Sequence, residues 1–210
     1  MAVIEVSEKG IMEGLERRFV NSRLKCLLQR HFEIKVYSKM LLSNGLEAYD
    51  GMILDAGCGA GYGLELINER FRPRELYGID IDPLEVELSR KREGTARISV
   101  QDLANTSFKS SFFDVIFAFT ILHHMPHWKR GLKEIHRILR PGGLLLLNEH
   151  NRCSLDIMEL LLGVKHPEQG RFTWKELESS VEEAGLEIID KSIFFGLFGF
   201  FLCRKGLTAG

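Results

Sequence analysis

The hydrophobic pattern of this chain changes period several times. "GMILDAG" (51–57) is a short apolar run closed by Asp55 and Gly57, too short for a helix and of the right length for a strand buried on both faces. "YGLELINERF" (62–71) then reads as a helix. The alternation repeats with "ELYGIDI" (75–81) as a second strand and "DPLEVELSRKREG" (82–94) as a helix. In that helix Asp82 is the N-cap, Pro83 the first helical position, Glu85 stands three residues after the cap, and Gly94 is the stop. "ARISVQD" (96–102) and "FFDVIFAF" (112–119) are the third and fourth strands, "HWKRGLKEIHRIL" (127–139) is a helix ended by "RPGG", and "GLLLLNEH" (143–150) is the fifth strand.

Two stretches are less regular. Apolar residues between Leu15 and Gly45 recur at mixed spacings of three and four, which predicts one or two amphipathic helices. After Asn151 the pattern loosens through "RCSLDIMELLLGVKHPEQGR", long enough for an insertion or lid. Order returns at "TWKELESSVEEAG", where Thr173 and Glu176 spell a capping box and Gly185 is the C′ residue. The final runs "LEIIDKSIFF" and "GFFLCRK" stand at hairpin spacing across "GLFG", so the last strand runs antiparallel to its neighbour. The predicted fold is α/β: a doubly wound, mostly parallel seven-stranded sheet with an antiparallel last strand and helices on both faces. Residues 51–210 form its core, residues 1–50 a helical segment that caps the substrate, residues 151–171 a lid, and the whole is one domain.

Composition narrows the function. With 210 residues, 45% hydrophobic and 27% charged, the net charge is −1. No basic excess is present to neutralise a phosphate backbone, and no nucleic-acid partner is expected. The four cysteines, Cys26, Cys58, Cys153 and Cys203, include no C-x-x-C pair, which suggests neither a zinc cluster nor a disulfide framework. The N-terminus shows no secretory pattern, and the apolar runs fall short of the roughly 20 residues a membrane span needs. A cytoplasmic location is the expectation.

"ILDAGCGAGYG" (53–63) places four glycines where a strand becomes a helix. A ligand can meet the backbone there with no Cβ in the way, and the helix N-terminus adds N–H donors. The dinucleotide fingerprint G-x-G-x-x-G fails: counted from Gly57 its last position is Tyr62, and from Gly59 it is Leu64. A nicotinamide-dependent oxidoreductase is therefore disfavoured but stays an alternative. Asp80 lies 23 residues past Gly57 at a strand end, where a carboxylate can accept from both hydroxyls of a ribose.

At these residues the chain resembles the class I, Rossmann-like, S-adenosylmethionine-dependent methyltransferases, in particular the group acting on small molecules. "ILDAGCGAGYG", "YGIDIDP", "QDL", "FDVIFAFTILHHM" and "RILRPGGLLLL" follow in the family's order from about Gly51 onward. The resemblance implies S-adenosylmethionine as cofactor and a small-molecule acceptor as partner. Gly57 and Gly59, with Asp55 nearby, would face the methionine moiety, Cys58 between them would be a small cofactor-binding residue of the tight turn, and Asp80 would hold the ribose. Asp102 would accept from the adenine amine, the Leu103 N–H would face a ring nitrogen, Ile81 would pack on the base, and Thr120 would close the site. The acceptor pocket would lie between the N-terminal helices and residues 151–171. A non-catalytic, methyltransferase-like binding protein is the other alternative, since fold alone does not separate the two.

His123 and His124 follow the fourth strand, where an acceptor would approach the methyl group, and either could take its proton. Consecutive residues usually point apart, so one of them, His123, is expected to face the pocket. His123 and His127 have an i, i+4 spacing, but Pro126 interrupts any helix between them, and no metal is expected. The phenylalanine-rich "IFFGLFGFFL" is either a core hairpin or the lining for an apolar acceptor.

Overall fold

The computed structural model describes residues 32–46, 50–92, 94, 96–163 and 166–207. Helix α1 (Ile34–Ser43) precedes β1 (Met52–Ala56), α2 (Tyr62–Phe71), β2 (Glu75–Asp80), α3 (Pro83–Arg90), β3 (Arg97–Val100) and β4 (Phe113–Phe119). There follow α4 (Trp128–Ile138), β5 (Leu139–His150), α5 (Arg152–Leu162), α6 (Trp174–Glu183), β6 (Leu186–Phe194) and β7 (Phe198–Lys205). Single 3₁₀ turns cover Leu122–His124 and Glu168–Gly170. The strands form one sheet in the order β3-β2-β1-β4-β5-β7-β6. β7 runs antiparallel to both its neighbours, and the other pairings are parallel.

Alternate residues of each strand feed two cores, because successive side chains leave opposite faces of a pleated strand. Leu54, Ala56, Ile116, Leu145, Leu147 and Phe201 pack with Trp128, Leu132 and Ile135 of α4 and Leu177 and Val181 of α6. Ile53, Val115, Phe117, Leu144, Leu146 and Phe200 pack on the other face with Tyr37 of α1 and Leu64 and Ile67 of α2. Each large side chain fully removed from water contributes about 1.5–3 kcal/mol. The chain order reverses between β1 and β4, which puts a crevice beyond their carboxyl ends.

The expected elements are present, with four differences. Helix α3 stops at Arg90 rather than Gly94. The N–H groups of Lys91 and Arg92 drop to the carbonyls three residues back, and Arg92 bonds Ala60 O and Glu65 instead. β5 starts at Leu139, directly after α4, because Gly142 (φ +78°) and Gly143 let "RPGG" form an irregularity in the β4–β5 pairing. Gly143 has room for no side chain there: a Cβ would sit 2.9 Å from Arg140 O. Residues 152–162 form a full helix in the stretch where the pattern loosens, capped by Asn151 through the Ser154 N–H at 3.0 Å. Ile157, Leu160 and Leu161 stay exposed on it, so the helix has no clean apolar stripe to announce it. Glu85 is fully buried beneath the glycine loop, and the observed cap bond runs from the Leu84 N–H to Asp82. The predicted capping box at Thr173 and Glu176, and Gly185 at φ +87°, are in place. Of the helices expected between Leu15 and Gly45, α1 covers Ile34–Ser43 and the remainder lies outside the described residues. The phenylalanine-rich hairpin is largely core, with Phe200 and Phe201 at 0% exposure, but its tip Phe195 is 97% exposed.

Candidate active site

The glycines after β1 do different work. Gly57 (φ +79°) and Cys58 both donate backbone N–H bonds to Ile79 O, at 2.8 and 2.9 Å, which stitches the loop to β2. A Cβ on Gly57 would lie 2.6 Å from Cγ1 of Ile121, and one on Gly61 (φ +86°) 2.3 Å from Oγ of Ser89. Those two positions are glycine because the protein itself comes close. Gly59 differs: the nearest atom to a Cβ there is Glu85 Oε2, at 3.9 Å. That is an ordinary contact, so the protein does not crowd this position. Burial pushes the Cys58 thiol well up, with the nearby Asp55 and Asp80 adding to the effect, which suits packing and rules against a nucleophilic thiolate.

Three carboxylates surround this loop. Asp80 Oδ2 accepts from the Gly59 N–H at 2.8 Å and Oδ1 from the Asp82 N–H at 2.9 Å. Desolvation raises its pKa while those backbone donors oppose the rise. Asp55, 1% exposed, has an Oδ1 with no hydrogen-bond partner. Burial, then the charge of Asp80, raises its pKa to about 8. Glu85 completes the group. Clustered carboxylates beside an open backbone favour a cationic guest and oppose a phosphate. The remaining expected cofactor residues line the same sheet edge. Ile81 is half-buried, Asp102 is exposed and accepts from the Ala104 N–H at 2.8 Å within its own turn, and Leu103 packs into the core. Thr120 is buried in the left-handed region (φ +51°), and its N–H donates to Asn148 O at 2.9 Å.

The acceptor side departs from expectation. The rings of His123 and His124 do not point apart: the 3₁₀ turn brings their centroids to 4.1 Å. His123, 2% exposed, meets Glu149 Oε2 through Nδ1 at 2.5 Å, while Glu149 Oε1 accepts from the Leu122 N–H at 2.6 Å. His124 is partly exposed. His166 stands 5.1 Å from the His123 ring and 5.4 Å from the His124 ring, centroid to centroid. His127, the partner suggested by spacing, is instead the N-cap residue of α4. Sequence reasoning missed Glu149, His166 and the Tyr37 hydroxyl, which donates to Asn148 Oδ1 at 2.8 Å from α1. Only Glu149 left a signal, as a carboxylate closing the apolar run "GLLLLNEH".

Comparison with known proteins agrees with this arrangement. Residues 54–147 match the family described as "Methyltransferase domain". A Mycolicibacterium smegmatis protein named "Probable S-adenosylmethionine-dependent methyltransferase" is 31% identical over 146 residues, 69% of this chain and 55% of that protein. A phthiotriol/phenolphthiotriol dimycocerosates methyltransferase of Mycobacterium leprae is 34% identical over 95 residues, 44% of this chain and 35% of that protein. The chain thus spans about half the length, or less, of these relatives. Among solved structures, a SAM-dependent methyltransferase of Methanosarcina mazei superposes with a TM-score of 0.62 at 25% identity, covering 80% of this chain and 98% of the other. An S-adenosylmethionine-dependent methyltransferase of Clostridium acetobutylicum gives 0.69 at 14% identity, covering 88% and 98%. With its glycine loop, strand-end carboxylates and β7 in their places, and the matched methyltransferase domain spanning β1 to β5, the fold and relatives of this chain are those of the class I S-adenosylmethionine-dependent methyltransferases.

Proposed function

We propose that the protein transfers the methyl group of S-adenosylmethionine to a hydroxyl of a small, largely apolar acceptor in the cytoplasm. The observation that carries the reading is the buried Asp55 carboxylate with an unpartnered Oδ1, on β1 just before the glycine loop. The residues fit this cofactor. Asp55 suits its ammonium, and Asp80, which accepts from the Gly59 and Asp82 N–H groups, has acceptor capacity left for ribose hydroxyls. Asp102 and the Leu103 N–H are the proposed adenine contacts, Ile81 the surface under the base, and Thr120 and Cys58 the walls.

The bound cofactor supplies an activated methyl group on a positive sulfur. The protein then contributes mainly alignment, worth as much as several kcal/mol when reacting atoms are held in line. His123 and His124, on the turn that follows β4, are the proposed catalytic residues. Residues 1–50 are proposed as the cap and residues 151–171 as the lid over the acceptor. An apolar acceptor is supported by the exposed Ile157, Leu160, Leu161 and Phe195 on α5 and the hairpin tip, since exposed apolar clusters usually have a use. The acceptors named for the M. leprae relative, phthiotriol and phenolphthiotriol dimycocerosates, point the same way.

Calorimetry with S-adenosylmethionine tests the first half of this reading. Asp80→Ala is expected to weaken binding by about 1.5–3 kcal/mol, the cost of losing charge-assisted bonds. Undiminished affinity in a folded variant would remove Asp80 from the site, and tighter binding of a nicotinamide dinucleotide would replace the methyltransferase reading with an oxidoreductase. Mass spectrometry of metabolites that gain a methyl group from labelled cofactor identifies the acceptor.

A further inference from the structure

The turn bearing the two proposed catalytic histidines also gathers a third, His166, from a separate segment. We propose that His123, His124 and His166 bind a divalent first-row transition ion of the zinc class. One ring nitrogen from each lies within 4.8 Å of the others, with His123 and His166 buried and His124 partly exposed. Three imidazoles with a coordination position left over are the ligand set of catalytic rather than structural zinc. In a tetrahedral site with Zn–N near 2.0–2.1 Å the ligands stand about 3.4 Å apart. Binding therefore draws the rings in by about an ångström, a movement within reach of side-chain torsions.

Two further features point to a built site. The first is Glu149. Its carboxylate holds Nδ1 of His123 at 2.5 Å and is itself anchored by the Leu122 N–H at 2.6 Å. In the tautomer this bond selects, Nδ1 carries the proton and Nε2 the lone pair, which is how a metal-binding histidine is oriented by a carboxylate behind it. The second is the seating of His166. It comes from a separate segment, and the turn just after it is held against the first: a Cβ on Gly170 would lie 2.1 Å from the carbonyl oxygen of His123. Trp128 Nε1 donates to Gln169 O at 3.0 Å, and the Arg171 guanidinium pairs with Asp156 at 2.6 Å and with Glu159 of α5. The third ring is thus carried by a clamped turn.

What the ion would do rests on the methyl-transfer reading. The turn bearing His123 and His124 directly follows Ile121, whose side chain abuts Gly57 of the cofactor loop. The acceptor hydroxyl takes the open coordination position and loses its proton to solvent, because the ion lowers its pKa. An oxygen lone pair then forms the new bond to the methyl carbon of S-adenosylmethionine. The carbon–sulfur bond breaks with its electron pair remaining on sulfur, which leaves a methyl ether and a neutral thioether.

Metal binding can be measured without acceptor or cofactor. Titration of the ligand-free protein with cobalt(II) is expected to give one saturable equivalent with the visible spectrum of a four- or five-coordinate site, displaced by zinc. His124→Gln and His166→Gln should abolish the spectrum, Glu149→Gln should weaken affinity about 10- to 100-fold, and His127→Gln should change nothing. X-ray absorption of the zinc-loaded wild type, independent of any variant's folding, should show imidazole nitrogen near 2.0–2.1 Å and no sulfur shell near 2.3 Å. Absence of a saturable cobalt spectrum in the wild type, a sulfur shell, or unchanged affinity in the His124 and His166 variants would overturn the site. S-adenosylmethionine affinity measured on the same samples separates that failure from a failure of the methyltransferase reading.

Discussion

The two sides of the crevice are built from different materials. The proposed cofactor side offers backbone: a left-handed glycine, N–H groups shared with Ile79 O and Asp80, and carboxylates drawn from residues 55 to 85. The proposed acceptor side offers side chains: imidazoles from residues 123, 124 and 166 and a carboxylate from residue 149. A backbone cradle tolerates few substitutions, because its geometry is set by φ values and close approach. A cage of side chains can be rewritten ring by ring while the sheet beneath stays the same. Shared folds with divergent acceptors are what such a division allows.

Paired glycine substitutions test the division most strongly. Gly57→Ala forces an L side chain into φ +79° and against Ile121. Left-handed strain of roughly 1–2 kcal/mol and overpacking of about 1–3 kcal/mol should lower unfolding stability by about 2–5 kcal/mol and remove cofactor binding. Adding Ile121→Ala should return part of the stability. Gly170→Ala drives a Cβ into the His123 carbonyl and is expected to cost about 1–3 kcal/mol. If the two sides are independent it should leave S-adenosylmethionine affinity within about twofold, while metal or acceptor binding falls. Equal loss of cofactor affinity in both variants would collapse the two sides into one.

A smaller effect sharpens the cofactor half. Asp55 holds its proton in the folded chain up to about pH 8, from an ordinary value of 3.8. Between those values the native state binds a proton that the unfolded chain has released. Stability therefore falls as pH rises from about 4 to 8, and the penalty is fully present above pH 8. Asp55→Asn should flatten this slope and make the ligand-free protein more stable than wild type at pH 9, read by thermal unfolding. Binding an ammonium ion favours the ionised carboxylate, so S-adenosylmethionine should release up to one proton at pH 7 and almost none above pH 9. Calorimetry in buffers of different ionisation enthalpy measures this, and equal proton release at both pH values would detach Asp55 from the ligand.

The smallest change in stability concerns α5. Leu160 is 83% exposed, and Leu160→Ser should alter stability by no more than about 0.5 kcal/mol. If α5 faces the acceptor, KM for an apolar acceptor should rise with little change in kcat. Unchanged KM would leave the exposed leucines without a part in catalysis.

The sequence by itself determined the sheet, its helices and the cofactor loop. Their information is local: a period of two or 3.6, a capping residue such as Asp82 or Thr173, and glycines with a carboxylate at a strand end. Even so, it could not tell that Gly57 and Gly61 yield to Ile121 and Ser89 while Gly59 is not crowded, because those neighbours arrive from 28 to 64 residues away. Helix α5 was illegible because a helix with exposed leucines lacks the stripe that burial imposes on the others. Only the tertiary structure decided which histidines meet. Sequence spacing offered His127, but Pro126 and the start of α4 carry it into the helix cap, and the clamp at Gly170 brings in His166 instead. A contact between residues 43 positions apart leaves no periodic trace in the chain; it exists because two turns pack into the same crevice.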